Sequence, residues 1–274
     1  MIYREMQIPV GEGSVLLKAY CPDVNREVEP ERKRPAVVIC PGGGYHFRSF
    51  REDEPVALQF LAQGLNAFVV EYRVAPDRFP KPQQDAGAAV AYVRQHAEEF
   101  RTDPDCVALL GFSAGGHLAA SVGVMNGFEA VWSEIGLTWR QVRPDVLVLC
   151  YPVITAGPYA HRGSIVNLSG TEDTAAQERF SLEKLVSAQT PPAFLWHTWT
   201  DGAVPVLNTL LFASALAEHH VPAEVHIYPE GVHGLSLGNE QTCDPKKSPA
   251  LMNADIADWP KRAADFIKRQ EEKK

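Results

Sequence analysis

The sequence predicts an α/β fold, with a mostly parallel central sheet and helices on both of its faces. Two observations support this. Short runs of β-branched and other apolar residues recur along the chain, as in strands covered on both faces, and longer segments with helical spacing separate them. A chain of 274 residues can also bury a large core. We therefore expect residues 1–274 to form one domain.

The first half of the chain opens with a predicted hairpin. Residues 2–9 and 13–21 are its strands, joined at Gly11-Glu12-Gly13, and a charged, proline-containing loop over 22–34 follows. A buried strand over 36–40 then ends in Pro41-Gly42-Gly43-Gly44-Tyr45. After it we predict a helix over 55–63 with Gly64 as its C-cap, a strand over 65–72, a proline-rich loop, and a long helix that Asp85 caps or begins and that runs through Phe100.

A Gly-x-Ser-x-Gly pattern at 111–115 joins a buried strand over 107–110 to a helix of small residues from 114 to about 125. In that context the pattern predicts a nucleophile elbow, where glycines on both sides leave room for a strained turn with the Ser113 hydroxyl at its apex. The first N–H groups of the helix favour negative charge at the same place. The alternative is a serine in an ordinary glycine-rich turn, which the flanking strand and helix disfavour.

The second half continues the alternation of strands and helices. We predict a helical or irregular segment over 127–143, a strand over 146–151, a cap-like insertion over about 152–190, a strand over 193–198, a helix over 206–219, a strand over 224–228 and a final helix from about 256 to 268. Ligands of such sheets bind at the carboxyl ends of the strands.

Ser113 needs a base, and His233 is the candidate because it lies on a glycine-flanked loop just past the last strand. Asp201, the first carboxylate after the strand over 193–198, is the candidate that orients it. The order Ser, Asp, His at successive strand ends is typical of hydrolases with a serine nucleophile. Glu172 and Asp173 are the runners-up for the acid. We interpret His117, His197 and His226 as packed side chains, and His96, His219 and His220 as ordinary helix residues.

The tetrahedral oxyanion requires preorganised N–H donors. Ala114, which follows the nucleophile, supplies one of them. The others are expected from the three glycines at 42–44, whose missing side chains let the backbone approach a substrate carbonyl. The sequence leaves open which of those glycines donate.

These residues resemble the α/β-hydrolase superfamily, in particular its acetyl esterase/lipase branch. PGGGY is similar to that branch's HGGG oxyanion motif, EYRVAPDRFPKPQQD to its YRLAPE…P…D segment, and GFSAGGHLAA to its elbow. Further stretches resemble bacterial acetylxylan-esterase-like carbohydrate esterases, namely YPVIT, HRGSIVNLSG, LWHTWTDGAVPVLNTLLFASAL and IYPEGVHGLSL. The similarity covers residues 35–270.

The resemblance implies an α/β-hydrolase fold with Ser113 as nucleophile, His233 as base and Asp201 as its orienting acid. It implies Gly43, Gly44 and Ala114 as oxyanion donors. Arg73 and Asp85 would be structural polar residues behind the oxyanion loop. Pro41 departs from the pattern, because it stands where that branch has a histidine.

The function expected from these residues is hydrolysis of small carboxylic esters, acetyl esters of sugars or xylo-oligosaccharides above all. The alternatives are a prolyl-oligopeptidase-like serine peptidase and a non-catalytic binding protein on the same scaffold. The candidates for lining the substrate pocket are Tyr45, His46, Tyr159, His161 and Trp199.

The composition limits the classes of binding partner that we expect for this chain. A net charge of −8 disfavours binding to nucleic acid or to an anionic membrane surface. No window approaches a membrane span, and the N-terminus lacks the pattern of a secretory signal. The five cysteines are scattered without metal-ligand spacing, so we expect a reduced, cytoplasmic protein with no metal and no cofactor. The sequence leaves the oligomeric state open, homo-oligomers included.

Overall fold

The computed structural model describes residues 1–24 and 27–272, and within these ranges it contains one sheet of eight strands. The strands are β1 (Ile2–Val10), β2 (Gly13–Cys21), β3 (Arg34–Cys40), β4 (Asn66–Val70), β5 (Thr102–Phe112), β6 (Val146–Cys150), β7 (Ala193–Thr198) and β8 (Ala223–Tyr228). Their order is β1-β2-β4-β3-β5-β6-β7-β8. The pairs β1–β2 and β2–β4 are antiparallel and the other pairs are parallel. The predicted fold class is confirmed.

Helices connect the strands within the same ranges. They are α1 (Glu54–Ala62), α2 (Lys81–Gln95), α3 (Ala97–Phe100), α4 (Ala114–Val124), α5 (Glu129–Ser133), α6 (Trp139–Val142), α7 (Arg162–Ser169), α8 (Thr174–Gln177), α9 (Leu207–Glu218) and α10 (Trp259–Glu271). Short 3-10 turns lie at Phe50–Glu52, Glu178–Phe180, Leu182–Leu185, Pro249–Leu251 and Ala254–Ile256.

The sheet buries both of its faces, as the apolar runs predict. Val37 and Ile39 of β3 belong to the core that packs under α1 and α10, whereas Ala36 and Val38 belong to the core under α2, α4 and α9. The chain leaves β3 for α1 on one face and leaves β5 for α4 on the other. The loops that follow these two neighbouring strands therefore diverge, and the crevice between them is where ligands of such sheets bind.

Three predicted helix boundaries are wrong. Asp85 neither caps nor begins its helix, because α2 starts at Lys81 with Pro82 in its first turn, where a proline needs no N–H partner. The long helix ends at Gln95, and His96 separates it from the single-turn α3. The last helix begins at Trp259, after a 3-10 turn at Ala254–Ile256.

The segment over 152–190 is irregular, as predicted. It contains α7, α8 and two of the 3-10 turns, and it contributes His161 to the crevice at the carboxyl ends of the strands. Its role as a cap stays a prediction.

Candidate active site

Ser113 occupies a strained turn between β5 and α4. Its φ of 53° and ψ of −117° lie outside the regions that side chains ordinarily adopt. A Cβ on Gly111 would lie 1.9 Å from the Gly115 carbonyl oxygen, and one on Gly115 would lie 2.2 Å from the Cys40 carbonyl oxygen. Only glycine fits at either position, so the elbow depends on both.

His233 bridges Ser113 and Asp201. Its Nε2 lies 2.8 Å from Ser113 Oγ, and its Nδ1 lies 2.6 Å from Asp201 Oδ2. The three side chains come from the ends of β5, β7 and β8, which bring them to one edge of the sheet. The other candidate acids lie elsewhere: Asp173 caps α8 through the Ala175 N–H, and Glu172 is exposed beside it.

Four polar contacts hold the Asp201 carboxylate. Its Oδ1 accepts the N–H groups of Ala203 and Val204, each at 2.9 Å, and its Oδ2 also lies 3.3 Å from Nε2 of His197. Burial raises the pKa of the Asp201 carboxyl, but hydrogen bonds from His197, His233 and the Val204 N–H outweigh it and hold that pKa well below its usual range. The carboxylate is therefore charged at neutral pH.

His197 is buried, as predicted, and it also contacts Asp201. Its Nδ1 pairs with Thr209 Oγ1 at 2.8 Å and its Nε2 with the Val204 carbonyl oxygen at 2.9 Å. His197 and Asp201 stand four residues apart across the end of β7, and this spacing is the sequence signal for the contact.

The glycine loop after β3 lines the crevice with Gly43 and Gly44. The Gly42 N–H donates to Glu52 Oε2 at 2.8 Å and is thereby occupied. Within the described residues, the N–H groups of Gly43, Gly44 and Ala114 donate to no protein acceptor. Of the three glycines, Gly42 is the one whose N–H already has an acceptor, and the role of Gly43 and Gly44 as oxyanion donors stays a prediction.

Several contacts hold this loop although Pro41 replaces the histidine of the resembled motif. The Tyr72 hydroxyl donates to the Pro41 carbonyl oxygen at 2.6 Å, and the Asn167 amide of α7 donates to the Gly44 carbonyl oxygen at 2.8 Å. Next to Tyr72, the Arg73 guanidinium makes a bidentate pair with the buried Asp85 carboxylate.

Comparison with known proteins identifies the family of this chain. A family model described as BD-FAE matches residues 22–216. The chain belongs to the BD-FAE family. The predicted resemblance to α/β-hydrolase esterases is thereby confirmed, including the relation to acetylxylan esterases.

Two curated relatives of this BD-FAE chain have names that refer to xylan. The chain is 37% identical over 216 residues to an endo-1,4-beta-xylanase B of Butyrivibrio fibrisolvens, and 32% identical over 210 residues to an acetylxylan esterase of Xylanibacter ruminicola. These alignments cover 76% and 74% of this chain but only 34% and 41% of the relatives. The chain thus spans well under half the length of either relative.

A solved structure matches along the whole length. The acetyl ester-xyloside bifunctional hydrolase from Caldicellulosiruptor lactoaceticus superposes with a TM-score of 0.81 at 35% identity, covering 98% of this chain and 97% of that one.

The pocket of the BD-FAE chain has a volume of about 300 Å³ and opens above Ser113. Of the five residues predicted to line it, His161 does. Because its Nδ1 accepts the Ser164 N–H, a neutral His161 ring carries its proton on Nε2. Burial and the neighbouring charge of His233 lower the pKa of His161, which favours that neutral form.

The prediction for Tyr45 is wrong. Its side chain is 1% exposed, and its hydroxyl pairs with Nδ1 of His117 at 2.9 Å while its ring packs against Tyr72. His117 in turn contacts the Phe180 carbonyl oxygen at 3.0 Å, and burial lowers its pKa to about 4. Both side chains are buried in the core next to the glycine loop after β3.

His46, Tyr159 and Trp199 are exposed and do not line this pocket. The structure places four other side chains in its wall, Phe47, Ser49, Arg51 and Glu52. Sequence reasoning missed them because the segment over 47–52 carries no motif of its own.

Two further observations concern the ligand classes. In the described ranges, no group of three or more His, Cys, Asp or Glu side chains is placed to hold a metal ion. None of the helices in those ranges is both long enough and apolar enough to cross a membrane.

Proposed function

We propose that the chain is a serine esterase that removes small acyl groups, above all acetyl, from sugars or xylo-oligosaccharides. The observation that supports this best is the hydrogen-bonded chain from Ser113 Oγ through His233 to Asp201, beside the unoccupied N–H groups of Gly43, Gly44 and Ala114.

The geometry supports acylation as the first step. His233 Nε2 accepts the Ser113 hydroxyl proton while Oγ attacks the ester carbonyl carbon, and the carbonyl oxygen becomes an oxyanion that the free N–H groups stabilise. When the intermediate collapses, the bond to the alcohol breaks and His233 returns the proton to the departing alkoxide. The product of this step is an acyl-Ser113 and a free alcohol.

Deacylation repeats the sequence with water. His233 removes a proton from a water molecule, whose oxygen attacks the acyl carbon, and the proton then returns to Ser113 Oγ as the carboxylic acid leaves. Asp201 keeps the Nδ1 proton of His233 pointed away from the nucleophile and stabilises the imidazolium in both steps.

The substrate class rests on the pocket and on the relatives. A pocket of about 300 Å³ above Ser113 suits a small acyl group with its sugar at the open mouth. The names acetylxylan esterase and acetyl ester-xyloside hydrolase point to the same chemistry. We propose that Nε2–H of His161 donates to an oxygen of the bound sugar.

The test is a panel of p-nitrophenyl esters of increasing acyl length together with acetylated xylo-oligosaccharides, assayed with the wild type and with Ser113→Ala. We expect turnover to be highest with acetate and to be abolished by the substitution, with the far-UV circular dichroism unchanged. Activity that survives in Ser113→Ala would overturn the proposal, and release of amine from dipeptidyl anilides without ester hydrolysis would favour a peptidase.

A further inference from the structure

A buried carboxylate links the oxyanion loop to the loop of the catalytic base. Glu52 is 3% exposed, and its two oxygens face different partners. Oε2 accepts the Gly42 N–H at 2.8 Å, and Oε1 accepts the Tyr151 hydroxyl at 2.6 Å. The first partner belongs to the oxyanion loop and the second follows β6.

The direction of each hydrogen bond is determined by the backbone. The Ser236 N–H donates to Tyr151 Oη at 2.9 Å, so the Tyr151 hydroxyl is an acceptor there and gives its own proton to Glu52. Ser236 lies three residues after His233. The Tyr151 ring also packs edge-on against the His233 ring, with their centroids 5.1 Å apart.

The turn that carries Glu52 is fastened to the same loop. Arg51 donates to the Gly234 carbonyl oxygen at 2.9 Å, and the Ser236 hydroxyl donates to the Arg51 carbonyl oxygen at 2.7 Å. On the other side, the Ser49 N–H donates to the Gly42 carbonyl oxygen at 2.9 Å. The turn therefore bonds to both loops at once.

This link spans strands that are not neighbours. The oxyanion loop follows β3 and the His233 loop follows β8, and three strands separate these two in the sheet. Pairing within the sheet alone does not set the distance between their loops. Burial raises the pKa of the Glu52 carboxyl, and the hydrogen bonds from Tyr151 and Gly42 oppose that effect. Two neutral donors, the Tyr151 hydroxyl and the Gly42 N–H, thus hold the Glu52 carboxyl group.

We propose that Glu52 and Tyr151 are positioning residues that hold the oxyanion donors and His233 in register for the transition state. By occupying the Gly42 N–H, Glu52 leaves Gly43 and Gly44 to face the oxyanion. By holding the Tyr151 ring in place, Glu52 also holds the surface against which the His233 ring packs. The inference rests on the proposed esterase function and goes beyond its triad.

The experiment compares Glu52→Gln, Tyr151→Phe and the double variant with a matched pair. Tyr20 is also buried and donates to a glutamate, Glu54, at 3.2 Å, but both lie away from the crevice. Tyr20→Phe and Glu54→Gln therefore remove a similar contact without touching the link. Activity on p-nitrophenyl acetate is measured well below the unfolding midpoint of each variant, with the active fraction titrated by a fluorophosphonate.

We expect each single substitution in the link to lower kcat about 10²-fold, the effect of a displacement of about 1 Å between reacting groups. KM should stay within about twofold, because glutamine at position 52 keeps the shape of the pocket wall and Tyr151 does not line the pocket. Because both residues act through one link, the double variant should lose no more than about threefold beyond the worse single variant. The matched pair should leave kcat unchanged.

A kcat within twofold of wild type in Glu52→Gln, or losses that multiply in the double variant, would refute the link. Glu52→Gln conserves volume, so it remains informative if Tyr151→Phe fails to fold. Failure of the esterase proposal itself would be seen separately, as an inactive wild type or an active Ser113→Ala.

Discussion

Replacing Asp201 by asparagine tests the proposed triad most directly. The carboxylate accepts two backbone N–H groups at Oδ1 and faces His233 and His197 with Oδ2. An asparagine has one acceptor oxygen, and the two backbone donors claim it. Its amide NH₂ must then face both imidazoles, which reverses the polarity of each contact.

The reversal has two consequences of calculable size. The amide donates to His233 Nδ1, so the ring proton moves to Nε2, where it points at Ser113 Oγ and prevents proton abstraction. Such an exchange in a Ser-His-Asp triad lowers kcat about 10⁴-fold, which corresponds to about 5.5 kcal/mol of transition-state stabilisation. His197 Nε2–H keeps the Val204 carbonyl oxygen at 2.9 Å but loses its charged partner, and the loss of a hydrogen bond to a charged group costs about 1.5–3 kcal/mol of folding free energy.

The assay is kcat/KM for p-nitrophenyl acetate, with unfolding in urea measured on the same samples. Asp173→Asn is the matched control, because Asp173 was the alternative acid by sequence and asparagine caps a helix equally well. We expect the control to keep its activity. If Asp201→Asn retains activity within tenfold of wild type, the tautomer argument and the assignment of the acid are both wrong.

Three other predictions concern the same site. A Cβ added to Gly43, which has a φ of 131°, would lie 2.2 Å from the Phe47 carbonyl oxygen, whereas one added to Gly44, which has a φ of 64°, would have its nearest contact at 3.7 Å. We therefore expect Gly43→Ala to lower kcat and the thermal unfolding midpoint more than Gly44→Ala does. His161→Ala should raise KM for acetylated xylo-oligosaccharides more than for p-nitrophenyl acetate, since only the sugar offers hydroxyl oxygens to its Nε2–H; equal effects on both substrates would contradict this. The depressed pKa of Asp201 means that its contribution to stability is complete above its unfolded pKa of about 4 and is lost as the pH falls through its lower folded value. The difference in unfolding free energy between wild type and Asp201→Asn, followed by urea denaturation, should accordingly narrow below about pH 4.

Much of the fold and of the site geometry follows from local patterns. The β-branched runs predicted the strands of the sheet, and the glycines of the 111–115 pattern predicted the strained turn at Ser113. Asp201 and His233 were found because each follows a strand, and strand ends of a parallel sheet meet at one edge. The structure brings all three side chains into hydrogen-bond contact.

The errors have a common origin in contacts between distant segments. Asp85 resembles a helix cap by position, but its carboxylate pairs with Arg73, twelve residues earlier. Tyr45 follows the glycine loop and resembles a pocket residue, but its hydroxyl reaches His117 across 72 positions. Glu52 carries no motif at all, and its partner Tyr151 is 99 positions away.

The amino-acid sequence by itself determined where most strands and helices lie, where the chain must turn sharply, and in which order Ser113, Asp201 and His233 arrive at the strand ends. These are properties of short segments, because sterics and apolar periodicity act between neighbours along the chain. Only the tertiary structure decided which glycine N–H groups remain free and which carboxylate supports the loop that carries them. Those outcomes depend on where backbone and side-chain donors from remote segments find acceptors once the core has closed around them.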